Sequence, residues 1–300
     1  MILTFPFDLF QSIRLSWGAP FKEGRREFLY NTLLGTSIGV STLGLRTALA
    51  GPIIYEVDVP INSLAHEFEG FTIAQISDLH VGSTIQRDYV ERTVGLIEKI
   101  APDLIVFTGD FADGYVGDLQ HHTEPLGQLQ AKAGKFYVTG NHEYYWNAQS
   151  WIEHASELGF LPLLNTSKII PWKNSQFLIT GTSDSASDNQ DNSSGSIMEA
   201  AATKVSDKQI GFRLYLNHRP VNYNEAEQYG FHLQLSGHTH AGQFFPWRLL
   251  IPLAYRYYRG LYRHKGLWIY VSRGTGYWGP PHRFTIPAEV TLLRMRRSGV

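Results

Sequence analysis

Five short clusters in this 300-residue chain combine side chains that hold metal ions or move protons. They are Asp78-Leu79-His80, Gly109-Asp110, Gly140-Asn141-His142-Glu143, Asn217-His218 and Gly237-His238-Thr239-His240. Each follows an apolar run: FTIAQIS, LIVFT, FYVT, FRLYL and LQLS in that order. Carboxylate, imidazole and amide donors together make a mixed nitrogen and oxygen shell. Such a shell suits Mn, Fe, Zn or Co better than Mg or Ca, which favour oxygen alone. Two such ions about 3.5–4 Å apart lower the pKa of a shared water and clamp an in-line displacement, which is what hydrolysis of a phosphate ester requires. Asp110 stands alone at the end of its run and is the natural bridge. Asp78 with His80, and His238 with His240, are spaced so that both members reach one ion from a single strand end. The glycines before Asp110, Asn141 and His238 permit tight turns and close backbone approach. His66, His121, His122, His154, His264 and His282 lie outside these clusters and read as surface or structural residues.

The elements that must carry these clusters follow from hydrophobic patterning. Strands are expected over Ile53–Val59, Phe71–Ser77, Leu104–Thr108, Lys135–Thr139, Phe177–Thr180, Phe212–Leu216, Leu233–Ser236, Leu267–Val271 and Val290–Leu293. Helices are expected over Arg87–Ile100, Leu119–Gln130 and residues 148–158. Strands alternating with helices argue an α/β fold with its site at the carboxyl ends of the strands. Residues 182–196, rich in Ser, Asp, Asn and Gly, read as a surface loop rather than a linker, because the strand pattern resumes beyond them. The expectation is one catalytic domain over 51–300.

Composition removes several chemistries. There is no cysteine, hence no disulfide, thiolate zinc site or cysteine nucleophile. A formal net charge of −1 gives no electrostatic reason to expect a nucleic-acid partner. Residues 1–50 read as an address. Arg25-Arg26 precedes a weakly apolar stretch from Phe28 to about Leu45, and Ala48-Leu49-Ala50 has the small-x-small form that signal peptidases cut. This resembles a twin-arginine export signal or an anchor, implying the export machinery as a partner and a catalytic domain outside the cytoplasmic membrane. A buried core helix is the competing reading. The apolar cluster from Ile2 to Trp17 fits an interfacial amphipathic segment.

The order Asp-x-His, Gly-Asp, Gly-Asn-His-Glu, His and Gly-His-x-His resembles the calcineurin-like metallophosphoesterases over most of residues 70–295. Any one fragment is weak; five in order, each behind a strand, are specific. The resemblance implies a four-layer αββα sandwich. It implies that Asp78, His80, Asp110 and His240 hold one divalent ion, and Asp110, Asn141, His218 and His238 the other. His142 would not ligate; it would protonate the leaving group or steady the transition state, a task suited to a histidine. Within the family the chain is similar to a bacterial exported or membrane-associated branch, which usually has glycine where Ala241 stands and an acidic residue where His232 stands.

The expected substrate is a phosphodiester or pyrophosphate ahead of a monoester, with a lipid-linked phosphate compatible. A cytoplasmic nucleotide phosphodiesterase and a metal-free binding scaffold are the alternatives; the full ligand set argues against the scaffold. Residues 244–263 mix aromatics with Arg248, Arg256, Arg259 and Arg263. They read equally as a pocket wall or membrane-facing flap and as ordinary loop packing. Tyr144, Tyr145 and Trp146 either line the pocket or pack, and Arg273 is a further candidate for phosphate.

Overall fold

The structure, a computed structural model, describes residues 23–186, 198 and 210–298. The expected interfacial segment before residue 23, and most of the 182–196 loop, lie outside the described residues. The element order is α1 (Glu23–Leu49), β1 (Ile53–Ile61), β2 (Thr72–Ile76), α2 (Arg87–Ile100), β3 (Leu104–Thr108), α3 (Val116–Thr123), β4 (Lys135–Val138), α4 (Asn141–Tyr145), α5 (Ala148–Glu157) and β5 (Leu161–Pro162). There follow β6 (Thr166–Trp172), β7 (Ser175–Gly181), β8 (Ile210–Leu216), α6 (Tyr223–Gln228), β9 (Leu233–Ser236), α7 (Trp247–Ala254), β10 (Gly260–His264), β11 (Leu267–Val271) and β12 (Glu289–Arg297).

Two mixed six-stranded sheets face each other. One runs β1-β12-β2-β3-β4-β5, the other β10-β11-β9-β8-β7-β6. In the first, β2, β3, β4 and β5 are parallel, so their carboxyl ends share one edge. In the second, β7, β8, β9 and β11 are parallel. Side-chain alternation builds the layers. From β3, Leu104 and Val106 join Phe177, Phe212, Leu214 and Leu235 between the sheets. Ile105 and Phe107 point the other way, to Val90, Val94 and Ile97 of α2 and Trp151 of α5. The outer face of the second sheet buries Leu178, Tyr215 and Ile269 against Ala226 and Phe231. Each such side chain, taken fully from water, contributes about 1.5–3 kcal/mol. The expected α/β sandwich of two sheets flanked by helices is therefore the observed architecture.

Several local expectations are corrected. The helix expected over Leu119–Gln130 is α3 followed by a 3-10 turn at Glu124–Gln128, because Pro125 removes a backbone donor. Three strands escaped the hydrophobic pattern: β5 has two residues, β6 is a half-exposed edge strand, and β10 is an edge strand inside the aromatic-basic segment. No described helix is long and apolar enough to cross a membrane. The far end of α1 packs on the domain. Gly44 and Ala48, one turn apart, are buried, Ala48 sits in the core beside Ala74 and Ile76, and the Arg283 amide donates to the Gly44 carbonyl at 2.9 Å. The His282 ring fills the space that a side chain at position 44 would need.

His232 explains its own position. Its Nδ1 accepts from the Arg213 amide at 3.1 Å, and its ring stacks on Phe212. Position 232 thus needs an acceptor, a need an acidic residue also meets. Burial and the Arg213 charge push the His232 imidazole down to about 4. Below its unfolded value near 6.5 the unfolded chain takes up a proton that the fold refuses. Stability is therefore complete above that pH and falls as pH drops towards about 4. For metal-free protein, urea unfolding at about pH 7 and about pH 4.5 should show His232→Gln losing about 2 kcal/mol less than wild type, the ring being only half-buried. Equal losses would refute this.

Candidate metal centre

The five clusters meet where the two sheets' strand ends converge. Asp78 and His80 leave β2, Asp110 leaves β3, and Asn141 and His142 open α4 just after β4. His218 follows β8, and His238 and His240 follow β9. The turns after β2 and β3 are zipped by backbone bonds. Asp78 donates to the Gly109 carbonyl at 2.9 Å, Leu79 to Asp110 at 2.9 Å and Val81 to Phe111 at 3.1 Å. Asp78, His80, Asp110, His238 and His240 all have positive φ, between 47° and 69°. Non-glycine residues rarely adopt this region. Ala241, at φ 55°, continues the run, which is the physical reason glycine suits that position. Gly140 and Gly237 have no room for a side chain: a Cβ at Gly140 would meet the Asp110 carboxylate, and one at Gly237 would meet Asp78 and Ser77.

Asp110 holds the middle. Its Oδ1 accepts from the His142 amide at 2.9 Å, while its Oδ2 faces His218 Nε2 at 3.2 Å and His80 Nε2 at 3.7 Å. Asp78 Oδ1 accepts from the His238 amide at 2.8 Å and lies 3.4 Å from His240 Nε2. Two candidate cation groups result: Asp78, His80 and His240, and Asp110, His218 and His238. These are three residues from each of the expected shells. A third group, His80, Asp110 and His142, brings the expected acid close to the ligands as well.

The second contacts of the rings orient them. His218 Nδ1 donates to the Thr108 carbonyl at 2.7 Å, and His80 Nδ1 to Asp113 Oδ1 at 3.0 Å. Each bond commits Nδ1 and turns Nε2 towards the centre, the arrangement typical of a ligating imidazole. His80 Nε2 and His240 Nε2 then stand 3.1 Å apart. The buried Asn141 Oδ1 has no hydrogen-bond partner. Converging lone pairs with an orphaned carbonyl oxygen are what a cation site requires, so the donor set fits the implied ions.

The charge distribution is compatible with a cation at this point. Burial opposes ionisation of Asp110, but His218 overrides it and holds the carboxyl well below the usual range. Burial equally disfavours a charged His218, yet Asp110 and then Asp78 push it up to about 10. A divalent ion held by Asp110 and His218 would answer the same charge in place of that proton. Burial, with His218 next, takes His238 down to about 3, and burial with His80 and Arg283 takes His240 well below its ordinary value. Both are neutral at neutral pH. Burial and the neighbouring Asp110 raise Glu143 to about 7. Its carboxyl accepts from the amides of Asp110, Phe111 and Gly140, tying the loop after β3 to the start of α4.

Sequence reasoning missed two participants. Asp113 Oδ1 accepts from both His80 Nδ1 and His142 Nδ1, the latter at 2.6 Å, so one carboxylate holds a ligand and the expected acid. Its signal was present as the aspartate three residues after Asp110, in the Gly109-Asp110-Phe111-Ala112-Asp113 run. Arg283, fully buried, bonds His240 Nδ1 at 3.0 Å as well as the Arg273 and Gly276 carbonyls. No local pattern marks it. Arg273 itself does not reach the cleft: it pairs with Glu289 at 2.8 Å and covers the Tyr55 ring. Tyr145 lines the cleft, whereas the Tyr144 hydroxyl bonds Thr139 and Trp146 packs on Tyr115.

Five of the expected ligands, His80, Asp110, Asn141, His238 and His240, line an open cleft of about 340 Å³ together with the apolar side chains of Tyr145, Phe244, Trp247, Ile251 and Trp278. Because Asp113 touches two rings without entering the donor set, its loss should separate turnover from metal binding. Asp113→Asn should lower kcat about 100-fold and weaken Mn²⁺ binding only about tenfold. Titration calorimetry beside steady-state kinetics would check this, and an unchanged kcat would refute it.

Residues 71–242 match the sequence profile of the calcineurin-like phosphoesterases. The chain is 33% identical over 276 residues to an uncharacterized metallophosphoesterase of Helicobacter pylori, covering 91% of this chain and 72% of that protein. It is 31% identical over 265 residues to a transmembrane protein with metallophosphoesterase domain of Danio rerio, covering 86% of this chain and 61% of that protein. An uncharacterized metallophosphoesterase of Bacillus subtilis is 29% identical over 292 residues, with 92% and 99% covered. Among solved structures, a dimetal phosphatase from Danio rerio aligns with a TM-score of 0.44 at 13% identity, over 71% of this chain and 90% of that one. With more than half of its length matching the profile, this chain belongs to the calcineurin-like phosphoesterases, a family of metallophosphoesterases that hydrolyse phosphoric ester bonds.

Proposed function

We propose that the protein is a two-metal phosphohydrolase that cleaves phosphodiester or pyrophosphate bonds, with Asp78, His80, Asp110 and His240 as one shell and Asp110, Asn141, His218 and His238 as the other. The observation that supports this reading is the buried, unpartnered Asn141 Oδ1, in a cleft lined also by His80, Asp110, His238 and His240. Two divalent ions, of Mn, Fe, Zn or Co type, would supply charge neutralisation on the phosphoryl oxygens and a hydroxide nucleophile at neutral pH. The chain's own residues do the rest. Asp110 presents one oxygen to both shells while the His142 amide fixes the other. His142, its Nδ1 held by Asp113, is left with Nε2 to protonate the departing oxygen.

A substrate with two ester arms fits the cleft better than a monoester. Five of the expected ligands line it, and five apolar side chains give the second arm a place to lie. Lipid-linked phosphates share that chemistry. We further propose that the catalytic domain works outside the cytoplasmic membrane or at its surface, and that α1 stays with it as an anchor. The paired Arg25 and Arg26 and the burial of Ala48 support this, and so does the name of the Danio rerio relative as a transmembrane protein.

Full-length protein supplied with Mn²⁺ should hydrolyse an aryl phosphodiester, and Asp110→Asn should lower the rate at least about 1,000-fold. No turnover with any of the four metals would overturn the catalytic reading. For localisation, changing Arg25 and Arg26 together to Lys should leave the protein inside the cell on fractionation, and unchanged export would count against the signal.

A further inference from the structure

The segment between β9 and β10 holds a helix that the domain does not cover. Seven of the eight residues of α7 are apolar, yet none is buried. Leu253 is 83% and Leu249 62% exposed, and Phe245, Trp247 and Leu250 also stand in solvent. A contiguous apolar surface of this kind needs a cover. α7 has two sides: Trp247 and Ile251 line the catalytic cleft, while Leu249 and Leu253 do not.

The neighbouring elements extend the same face. Gln243 bonds the Trp278 amide at 2.9 Å and carbonyl at 3.0 Å, which holds that exposed indole beside α7. Arg248 reaches Thr285 at 2.8 Å, and the same loop receives α1 through the Arg283–Gly44 bond. α1 exposes Leu43, Leu45 and Leu49 near that junction. Charge selects the cover. Residues 244–263 carry four arginines and no acidic residue, in a chain whose net charge is −1. Apolar side chains that protrude rather than line a groove, tryptophans at the margin and Arg248 within α7, with Arg256 and Arg259 just beyond it, suit a deformable anionic surface.

We infer that α7, with Phe245 and Trp278, docks on an anionic lipid bilayer and seats the mouth of the catalytic cleft on the headgroups. This deepens the proposed function, since it brings a lipid-borne phosphate to the metal centre along the Trp247 and Ile251 side of the helix. A bilayer is favoured over an acidic protein because the protruding leucines offer no pocket for a shaped partner.

The test uses full-length protein and vesicles of phosphatidylcholine with and without phosphatidylglycerol. Wild type should sediment with the mixed vesicles and more weakly with pure phosphatidylcholine. Leu249→Glu combined with Leu253→Glu should bind the mixed vesicles at least about tenfold more weakly. It should still hydrolyse a soluble aryl phosphodiester at the wild-type rate, which shows that the fold and the metal centre survive. A variant that binds as well as wild type would overturn the docking role of α7, even if α1 holds the vesicle. Wild type that ignores both vesicles would overturn it too, and capture of an acidic protein instead would identify the rejected occupant. Sedimentation needs no catalysis, so failure of the hydrolytic reading leaves this result readable.

Discussion

Three carboxylates, Asp78, Asp110 and Glu143, are buried at one end of a sheet sandwich, and the local structure is organised around making that tolerable. An unpaired buried carboxylate costs several kcal/mol. The fold meets the cost unevenly. Glu143 is satisfied by three backbone amides and becomes a structural tie. Asp110 gives one oxygen to a backbone amide and turns the other towards imidazoles, whereas Asp78 turns Oδ1 to both the His238 amide and His240 and gives Oδ2 to the Ser77 hydroxyl. The unspent charge is thus concentrated where His80, His218, His238 and His240 converge. An apolar or hydroxyl-lined end of the sandwich would have been more stable; the arrangement makes sense as a receptacle for cations.

Backbone geometry carries part of the same cost. Five of the seven expected ligands sit at positive φ. Each such residue costs roughly 1–2 kcal/mol relative to ordinary backbone. They persist because the surroundings over-determine them: the parallel ladders end immediately before them, the turns are zipped to each other, and the neighbouring glycines leave no slack. Parallel strands suit this task because their carboxyl ends all face one edge. The helices α2 and α5 and the inter-sheet core hold those ends in place.

Much of this was legible in the sequence, for physical reasons. Buried parallel strands read as continuous apolar runs, so β3, β9 and β11 were bounded to the residue, and the donor clusters stood out against them. Edge strands lack that signature, and β6 and β10 escaped because only one face of each is covered. Pro125 was visible but under-weighted, which lengthened α3. Asp113 was in plain view and missed because only the aspartate at the strand end was read for chemistry. Arg273 could be read only as a candidate for phosphate because Glu289, which occupies its guanidinium, lies 16 residues further on, and such partners leave no local pattern. Arg283 is the extreme case: a buried arginine becomes intelligible only once His240 is placed beside it.

The strand order of the first sheet has a consequence for the order of synthesis. β12, the last of the described strands in chain order, lies between β1 and β2, pairing with β1 from Ile53 to Ile61 and with β2 from Thr72 to Gln75. While a ribosome is still extending the chain, those two early strands show each other unpaired edges. The ladder that braces Asp78 and His80 on that side is missing. Contacts of such long sequence separation form late and slowly. A nascent chain therefore exposes its carboxylates to solvent long before the receptacle exists. Any cation the receptacle takes would enter after β12 has closed this sheet, and a chaperone or a delay that shields the β1 and β2 edges would matter more to its biogenesis than any that shields the second sheet.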